Sequence, residues 1–408
     1  MYVRRHRRFG PVEFFAVLVA VLVIGVGALV ASTLLRGGHR AAHRPTIAPT
    51  ATATASTGAA APRVSPSATT VTAIPAGALT LDAIFGKAPD LSKVAASRKT
   101  TLVVTGDIIP ARTTNSRMVS MGDFSWPFRA TADYLHTGDI EFINLEAPLF
   151  SSCKPTTAGM SFCGDPRFID GLAYAGATVA NLSNNHLTNF GPQGTDSTVK
   201  LLSDRGIQPC GIGLVAHVTV KGVRFAFLGF NGVGVAVNRA ELKREIDLAR
   251  PTADVVVVQF HWGEEYVLTP KSTGNSIAPD NPRDIGHLAI DDGADLVIGN
   301  HPHAVQGVEI YNGHLITYAH GNFVFDQMWT PDAGQEDPRN GVVGKYTFVD
   351  GKLAAVEYRP TRIYDYGQPR FLSGPYADYV MGLMRTSSDL IAAGSTAPPP
   401  SPPVPAPA

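Results

Sequence analysis

Cysteine is scarce: the 408 residues hold three, Cys153, Cys163 and Cys210. Three cannot build a disulfide framework, so the fold has to rest on an apolar core. Cys153 and Cys163 bracket a nine-residue loop. In an oxidising compartment a disulfide between them is the expectation, with Cys210 buried and unpaired. An excess of basic charge is missing too. Lys and Arg number 34, as do Asp and Glu; residues 1–100 take 12 and 3 of these, which leaves 22 and 31 for residues 101–408, a net of −9. Such a body lacks the basic face that a nucleic acid needs. No internal repeat is visible.

What is present at the start is a long apolar run. Residues 14–35 carry no charge over 22 positions, roughly 33 Å as a helix and enough to span a bilayer. Arg4, Arg5, Arg7 and Arg8 precede it, and Arg36, Arg40 and Arg44 follow. The run exceeds the h-region of a signal peptide, so an uncleaved anchor is expected, with a cleaved export signal as the alternative. Either reading places the body outside the cytoplasm. The expected organisation is a cytoplasmic basic tail (1–13), an anchor (14–35), an Ala/Thr/Pro-rich disordered spacer (36–78), one domain (79–393, core 99–365) and a Pro-rich disordered tail (394–408).

Within the domain, short apolar runs alternate with helical patterns. Strands are expected over 101–105, 140–143, 177–182, 223–229, 254–260 and 296–298. Helices are expected over 127–136, 167–175, 195–204 and 282–291, and from a cap at Asn238, with Glu241 in the capping-box position, to about 249. Asn312 with Gly313, and Asp350 with Gly351, mark tight hairpins. The first part is βα-rich and the last part meanders, which two sheets with helices outside would satisfy.

Five strand ends carry a group that binds metals or moves protons: Asp107, Glu146, Asn185 with His186, His261, and His301 with His303. At the carboxyl edge of a parallel or mixed sheet such groups face one crevice. Mixed oxygen and nitrogen donors suit a divalent ion of the Zn, Mn or Fe class better than Ca or Mg alone. Singly, each has a plainer reading: Asp107 as a turn residue, Glu146 as a surface ion-pair partner, the asparagines as loop residues, His186 or His261 as core or rim histidines. Repetition at five ends argues for a shared site. His314 and His320 keep the plainer reading. Glu264 and Glu265 beside His261 read either as rim carboxylates or as supporting or basic groups; Glu264 joins His186 as a catalytic candidate.

These motifs carry a resemblance. Gly106, Asp107 and Ile108; Asn144, Leu145 and Glu146; Asn184, Asn185 and His186 with Gly191; His261 through Tyr266; Gly299 through His303 with Gln306; and Gly321 through Asp326 together resemble the CapA family. These are capsule-synthesis or poly-γ-glutamate-biosynthesis proteins, similar in turn to calcineurin-like metallophosphoesterases. The resemblance covers about residues 100–365. It implies an α/β fold, a four-layer αββα sandwich with two mixed β-sheets between helices, and a two-metal site at the sheet edge. It implies Asp107, Glu146 (bridging), Asn185, His261, His301 and His303 as metal ligands, with His186 as acid or substrate contact. Ile109 stands where the phosphoesterase pattern has a ligating histidine. Asn300, Asn189, and Ala319 with His320 depart from the family's usual residues. The implied function is a metal-dependent hydrolase or transferase on a cell-envelope polymer, with a polymer-synthase complex as a candidate partner. The alternatives are a non-catalytic accessory subunit of that complex and a general phosphoesterase.

Overall fold

The computed structural model describes residues 79–395. The expected anchor and spacer lie outside them, as does the tail from 396. Among the described residues no helix is long and apolar enough to cross a membrane.

In chain order the strands are β1 (Lys99–Ile108), β2 (Ile140–Leu145), β3 (Val179–Asn181), β4 (Gln208–Cys210), β5 (Ala216–Val220), β6 (Val223–Asn231), β7 (Val255–His261), β8 (Leu296–Asn300), β9 (Val308–Tyr311), β10 (His314–Thr317), β11 (Asn322–Val324), β12 (Asn340–Val349), β13 (Lys352–Tyr364) and β14 (Gln368–Phe371). They form two mixed sheets. One runs β14-β13-β12-β1-β2-β3-β4, with β11 paired to β1; the other runs β5-β6-β7-β8-β10-β9. β1 to β4 are mutually parallel, and so are β6, β7, β8 and β10.

Period-2 alternation in these strands builds the layers. Leu102 and Val104 of β1, Phe225 and Phe227 of β6, and Val255 and Val257 of β7 meet between the sheets. Val103 points the other way, into a core shared with Phe168, Leu172 and Leu202 of helices Phe168–Ala175 and Gly191–Asp204. Ala226, Leu228, Val256 and Val258 face helices Arg239–Ala249 and Pro282–Asp291 on the far side. The result is helix, sheet, sheet, helix. Each Val or Phe fully buried here contributes about 1.5–3 kcal/mol.

Local chemistry sets most boundaries. Asn238 accepts from the Glu241 amide and opens its helix. Asn312 and Gly313 take φ of 49° and 82°, and Asp350 and Gly351 take 50° and 80°. That double left-handed geometry is what a two-residue hairpin of the right twist requires.

The expected helix over 127–136 is instead a 3-10 turn, Trp126–Phe128, followed by one helical turn, Ala132–Leu135. Phe128 is pulled inward against Phe168 and Phe323, and Thr131 Oγ1 donates back to Phe128 O at 3.2 Å. Ring packing and the back-bond divide the segment. The core also runs past 365. Tyr376, Val380 and Met384 of helix Pro375–Ala393 pack onto the inter-sheet core. Ser387 and Ser388 accept the Gly307 and Val308 amides at 2.7 and 2.8 Å, which ties this helix to β9.

One buried acid works against the fold. Glu141 of β2 is 3% exposed, and neither carboxyl oxygen has a hydrogen-bond partner. Burial pushes its pKa well above the ordinary value. A raised folded-state pKa gives stability that is complete below the unfolded pKa and is lost as pH rises through the folded one. Glu141→Gln is therefore expected to match the wild type near pH 4 and to gain on it progressively above that. The gap should reach about 1–2 kcal/mol by pH 8, read from denaturant midpoints across the pH series.

Candidate metal centre

The carboxyl ends of β1, β2 and β3 meet those of β7 and β8 where the two sheets come together. Asp107 is the joint. Its Oδ1 accepts from Asn144 Nδ2 of the first sheet and Asn300 Nδ2 of the second, each at 2.8 Å. Its Oδ2 accepts the His301 amide at 3.2 Å and lies 3.3 Å from His303 Nδ1. Burial raises the Asp107 pKa, but His303, His261 and Asn144 outweigh it and hold the group ionised, below the usual carboxylate range.

Glu146, directly after β2, is fully buried, and both its oxygens lack a hydrogen-bond partner. Three imidazoles surround it. His261 Nε2 is 3.3 Å from Oε1 and hydrogen-bonds to Asn185 Oδ1 at 2.9 Å. His186 Nε2 and His303 Nε2 each stand 4.0 Å from the same oxygen. Two groups of donor atoms each converge within 4.8 Å: Asp107, Glu146 and His261, and Glu146, His301 and His303. Glu146 belongs to both.

The loop after β8 is strained to achieve this. His301 and His303 have φ of 94° and 51°, left-handed conformations that side chains with a Cβ adopt rarely. Both His301 ring nitrogens are buried without a partner. Burial, with His261, His303 and His186 nearby, drives its pKa well below the ordinary value, so the ring is neutral. His303 goes the other way. Burial lowers it, yet Glu146, Asp107 and Glu265 raise it to about 10. Its Nδ1 faces Asn322 Oδ1 at 2.8 Å, and Asn322 Nδ2 donates to Pro338 O, which fixes the amide's orientation. Nδ1 is thus the donor and Nε2 faces Glu146. The positive charge on His303 belongs to the ion-free ring: a cation held at Nε2 would displace the proton there.

The donor set therefore fits a divalent cation. A buried carboxylate and a neutral buried imidazole, both without hydrogen-bond partners, are costly unless a cation takes their lone pairs. Oxygen and imidazole donors are the chemistry of Zn, Mn or Fe sites.

Each residue expected at the site can now be placed. Asp107, Glu146, His261, His301 and His303 come together, Asn185 touches His261, and His186 faces Glu146. They arrive from the edges of two sheets rather than one. Glu264 points elsewhere, its carboxylate 3.2 Å from Lys271 Nζ. The neighbouring Glu265 is the one beside the cluster, 3.8 Å from His301 Nε2. Tyr266, with φ of 60°, turns the chain there. Ile109 is fully buried with Ala111, Ala147, Phe162 and Phe325, so an apolar cluster fills the position of the missing histidine. His320 bonds Tyr346 Oη at 3.0 Å, and burial lowers its pKa to about 4; His314 bonds Asp295 O. Both stay outside the cluster.

A scaffold of amides escaped the sequence reading. Gln259 donates to Asn300 Oδ1, and Asn181 donates to Asn144 Oδ1, so the two donors on Asp107 are themselves oriented. Asn144 stands two residues before Glu146, at the end of β2, and both reach His261. That spacing was the available signal.

The cysteines behave as expected. Cys153 and Cys163 are joined, with Cα atoms 5.7 Å apart, and Cys210 is buried and free. Closing so short a loop is worth roughly 2–3 kcal/mol. The Cys153→Ser/Cys163→Ser double variant is expected to lose that amount in chemical denaturation.

Residues 101–327 match the family model described as "Bacterial capsule synthesis protein PGA_cap". The chain belongs to this family. The matched span contains every residue of the cluster. Over 302 residues this PGA_cap member is 29% identical to the "Capsule biosynthesis protein CapA" of Bacillus anthracis, covering 67% of this chain and 70% of that one. It is 36% identical over 174 residues to the "PGA biosynthesis protein CapA" of Bacillus subtilis, covering 38% and 44%. A Mycobacterium tuberculosis protein named "Probable polyglutamine synthesis accessory protein" is 30% identical over 302 residues, covering 64% of this chain and 76% of that one.

Proposed function

We propose that this PGA_cap protein is a membrane-anchored, extracytoplasmic, metal-dependent hydrolase or transferase acting on a cell-envelope polymer of the poly-γ-glutamate kind. The observation that carries the reading is Glu146: a buried carboxylate with two partnerless oxygens, shared by two convergent donor groups.

Asp107, Glu146, Asn185, His261, His301 and His303 would hold the ion or ions. A cation there supplies a Lewis acid that polarises a phosphoryl or acyl oxygen. The chain's own residues set the rest. His186 donates from Nδ1 to Asn189 Oδ1 at 2.9 Å and turns Nε2 toward Glu146. Burial lowers its pKa against the opposing pull of Glu146, so the ring is neutral at pH 7 and placed to exchange a proton. Glu265 is partly open to solvent and can pass protons to water from beside His301. The anchor at 14–35 would keep the site at the outer membrane face, and the acidic body would need cations to meet an anionic polymer.

The full chain, purified and screened on phosphoester, amide and poly-γ-glutamate substrates, is expected to turn over one class in a chelator-sensitive way. A second reading, an accessory subunit of a polymer-synthase complex, is favoured by Ile109 in its apolar cluster. The Glu146→Ala/His303→Ala double variant separates the two: full capsule production from it sinks catalysis and leaves the accessory role. A soluble form truncated near Ala42, recovered from native cells, would contradict the anchor.

A further inference from the structure

The segment between the two joined cysteines is an exposed strap with one buried exception. Residues 154–161 are all exposed, whereas Phe162 is 1% exposed. The Phe162 ring stacks on His186, with centroids 4.0 Å apart and planes 24° apart. Its amide donates to Asn189 Oδ1 at 2.7 Å, the oxygen that also receives His186 Nδ1. One asparagine oxygen and one phenyl ring therefore fix both the axis and the plane of the imidazole.

The strap is pinned where this matters. The disulfide closes its base immediately after Phe162. Ser116 Oγ donates to Thr156 O at 2.6 Å, and Arg112 donates to Gly159 O at 3.3 Å. The Arg112 guanidinium also lies over both Phe162 and Phe325, 4.8 and 4.9 Å from the ring centroids, while it pairs with Asp326. Its Nε, Nη1 and Nη2 each donate within the protein, to Asp326 and to Gly159 O, so it acts as a clamp on the ring. None of the apolar side chains in this stretch, Met160 included, is buried, so nothing of its own holds it in place, and without its pins it would leave Phe162 free to swing away.

We infer that Phe162 is a positioning residue for His186, and that the Cys153–Cys163 disulfide and the Arg112 clamp hold the strap so that His186 Nε2 faces Glu146. The inference takes from the proposed function only that His186 serves the metal centre. Its geometry stands independently of any substrate.

The test is carbethoxylation of the full chain by diethyl pyrocarbonate, with His186 and the exposed His217 followed separately by peptide mass spectrometry. In the wild type His186 is expected to react slowly. In Phe162→Ala, and in Cys153→Ser/Cys163→Ser, its rate is expected to rise about fivefold or more, the equivalent of one aromatic stacking contact. Phe162→Tyr is expected to restore the slow rate, and His217 to react alike throughout. If Phe162→Ala does not fold, Phe162→Leu tests the same loss of the ring. A His186 rate unchanged in these variants, or raised as much in Phe162→Tyr as in Phe162→Leu, overturns the inference. Metal content of the same samples, with Zn, Mn and Fe all measured, keeps this separate from the metal reading: a changed His186 rate with none of these bound supports the positioning role while removing the metal centre.

Discussion

Glu146→Gln is expected to leave the protein without its divalent metal, with affinity reduced at least 100-fold. Loss of a group that merely supports a ligand already costs about 10–100-fold, and Glu146 is a donor in both convergent groups. Glutamine keeps the shape of the side chain but offers one neutral oxygen in place of two charged ones. Its effect on the metal-free protein is smaller: it removes a buried carboxylate with no hydrogen-bond partner and, with it, the main charge that raises His303, and the two offset. Thermal melts make the contrast visible. At a metal concentration 100 times the dissociation constant, binding stabilises the folded wild type by about 2.7 kcal/mol. The variant is expected to show no metal-dependent shift. A variant that melts higher with metal by the same amount as the wild type would remove Glu146 from the centre.

Gly299→Ala is expected to cost more than about 3 kcal/mol, beyond ordinary overpacking. Gly299 lies in β8, two residues ahead of His301. A Cβ there would fall 1.9 Å from the Tyr318 carbonyl oxygen and 2.5 Å from Trp262 Nε1. Those two atoms are hydrogen-bonded to each other at 3.0 Å, and Trp262 stacks on Phe260 with centroids 4.6 Å apart. Neither neighbour is the free end of a flexible side chain, so strand or indole has to move. Either movement shifts the loop that carries His301 and His303, and metal binding should fall together with stability. Gly313→Ala serves as the control. Its Cβ meets nothing within 4 Å, and only the φ of 82° is unfavourable, a cost of about 1 kcal/mol. Equal midpoints for the two variants in urea would contradict the packing argument.

The strand ends were legible because a buried strand announces itself as an apolar run, and the first polar residue after it falls at the sheet edge. That logic reached Asp107, Glu146, His261, His301 and His303. It did not reveal that β1 to β3 and β7 to β8 belong to different sheets, because pairing partners leave no local trace. Nor did it find the amides. Asn144, Asn181, Asn300 and Asn322 look like loop asparagines in a sequence, and only a network in three dimensions shows what each orients. Glu264 and Glu265 are adjacent carboxylates, and only the fold shows which of them lies beside His301. The strap's Phe162 lay outside every periodic segment. Helix Pro375–Ala393 was within reach: Tyr376, Val380, Leu383, Met384 and Ile391 keep helical spacing, and Gly394 caps the end in a left-handed conformation.

The most direct measurement is anomalous diffraction from crystals of the protein equilibrated with Mn²⁺ or Zn²⁺, recorded on both sides of the metal's absorption edge. A peak is expected within about 2.0–2.3 Å of a Glu146 oxygen and of nitrogens from His261, or from His301 and His303, with Asp107 still accepting from Asn144 and Asn300. No peak at the junction of the two sheets, with Glu146 instead hydrogen-bonded to a side chain, would contradict the metal centre.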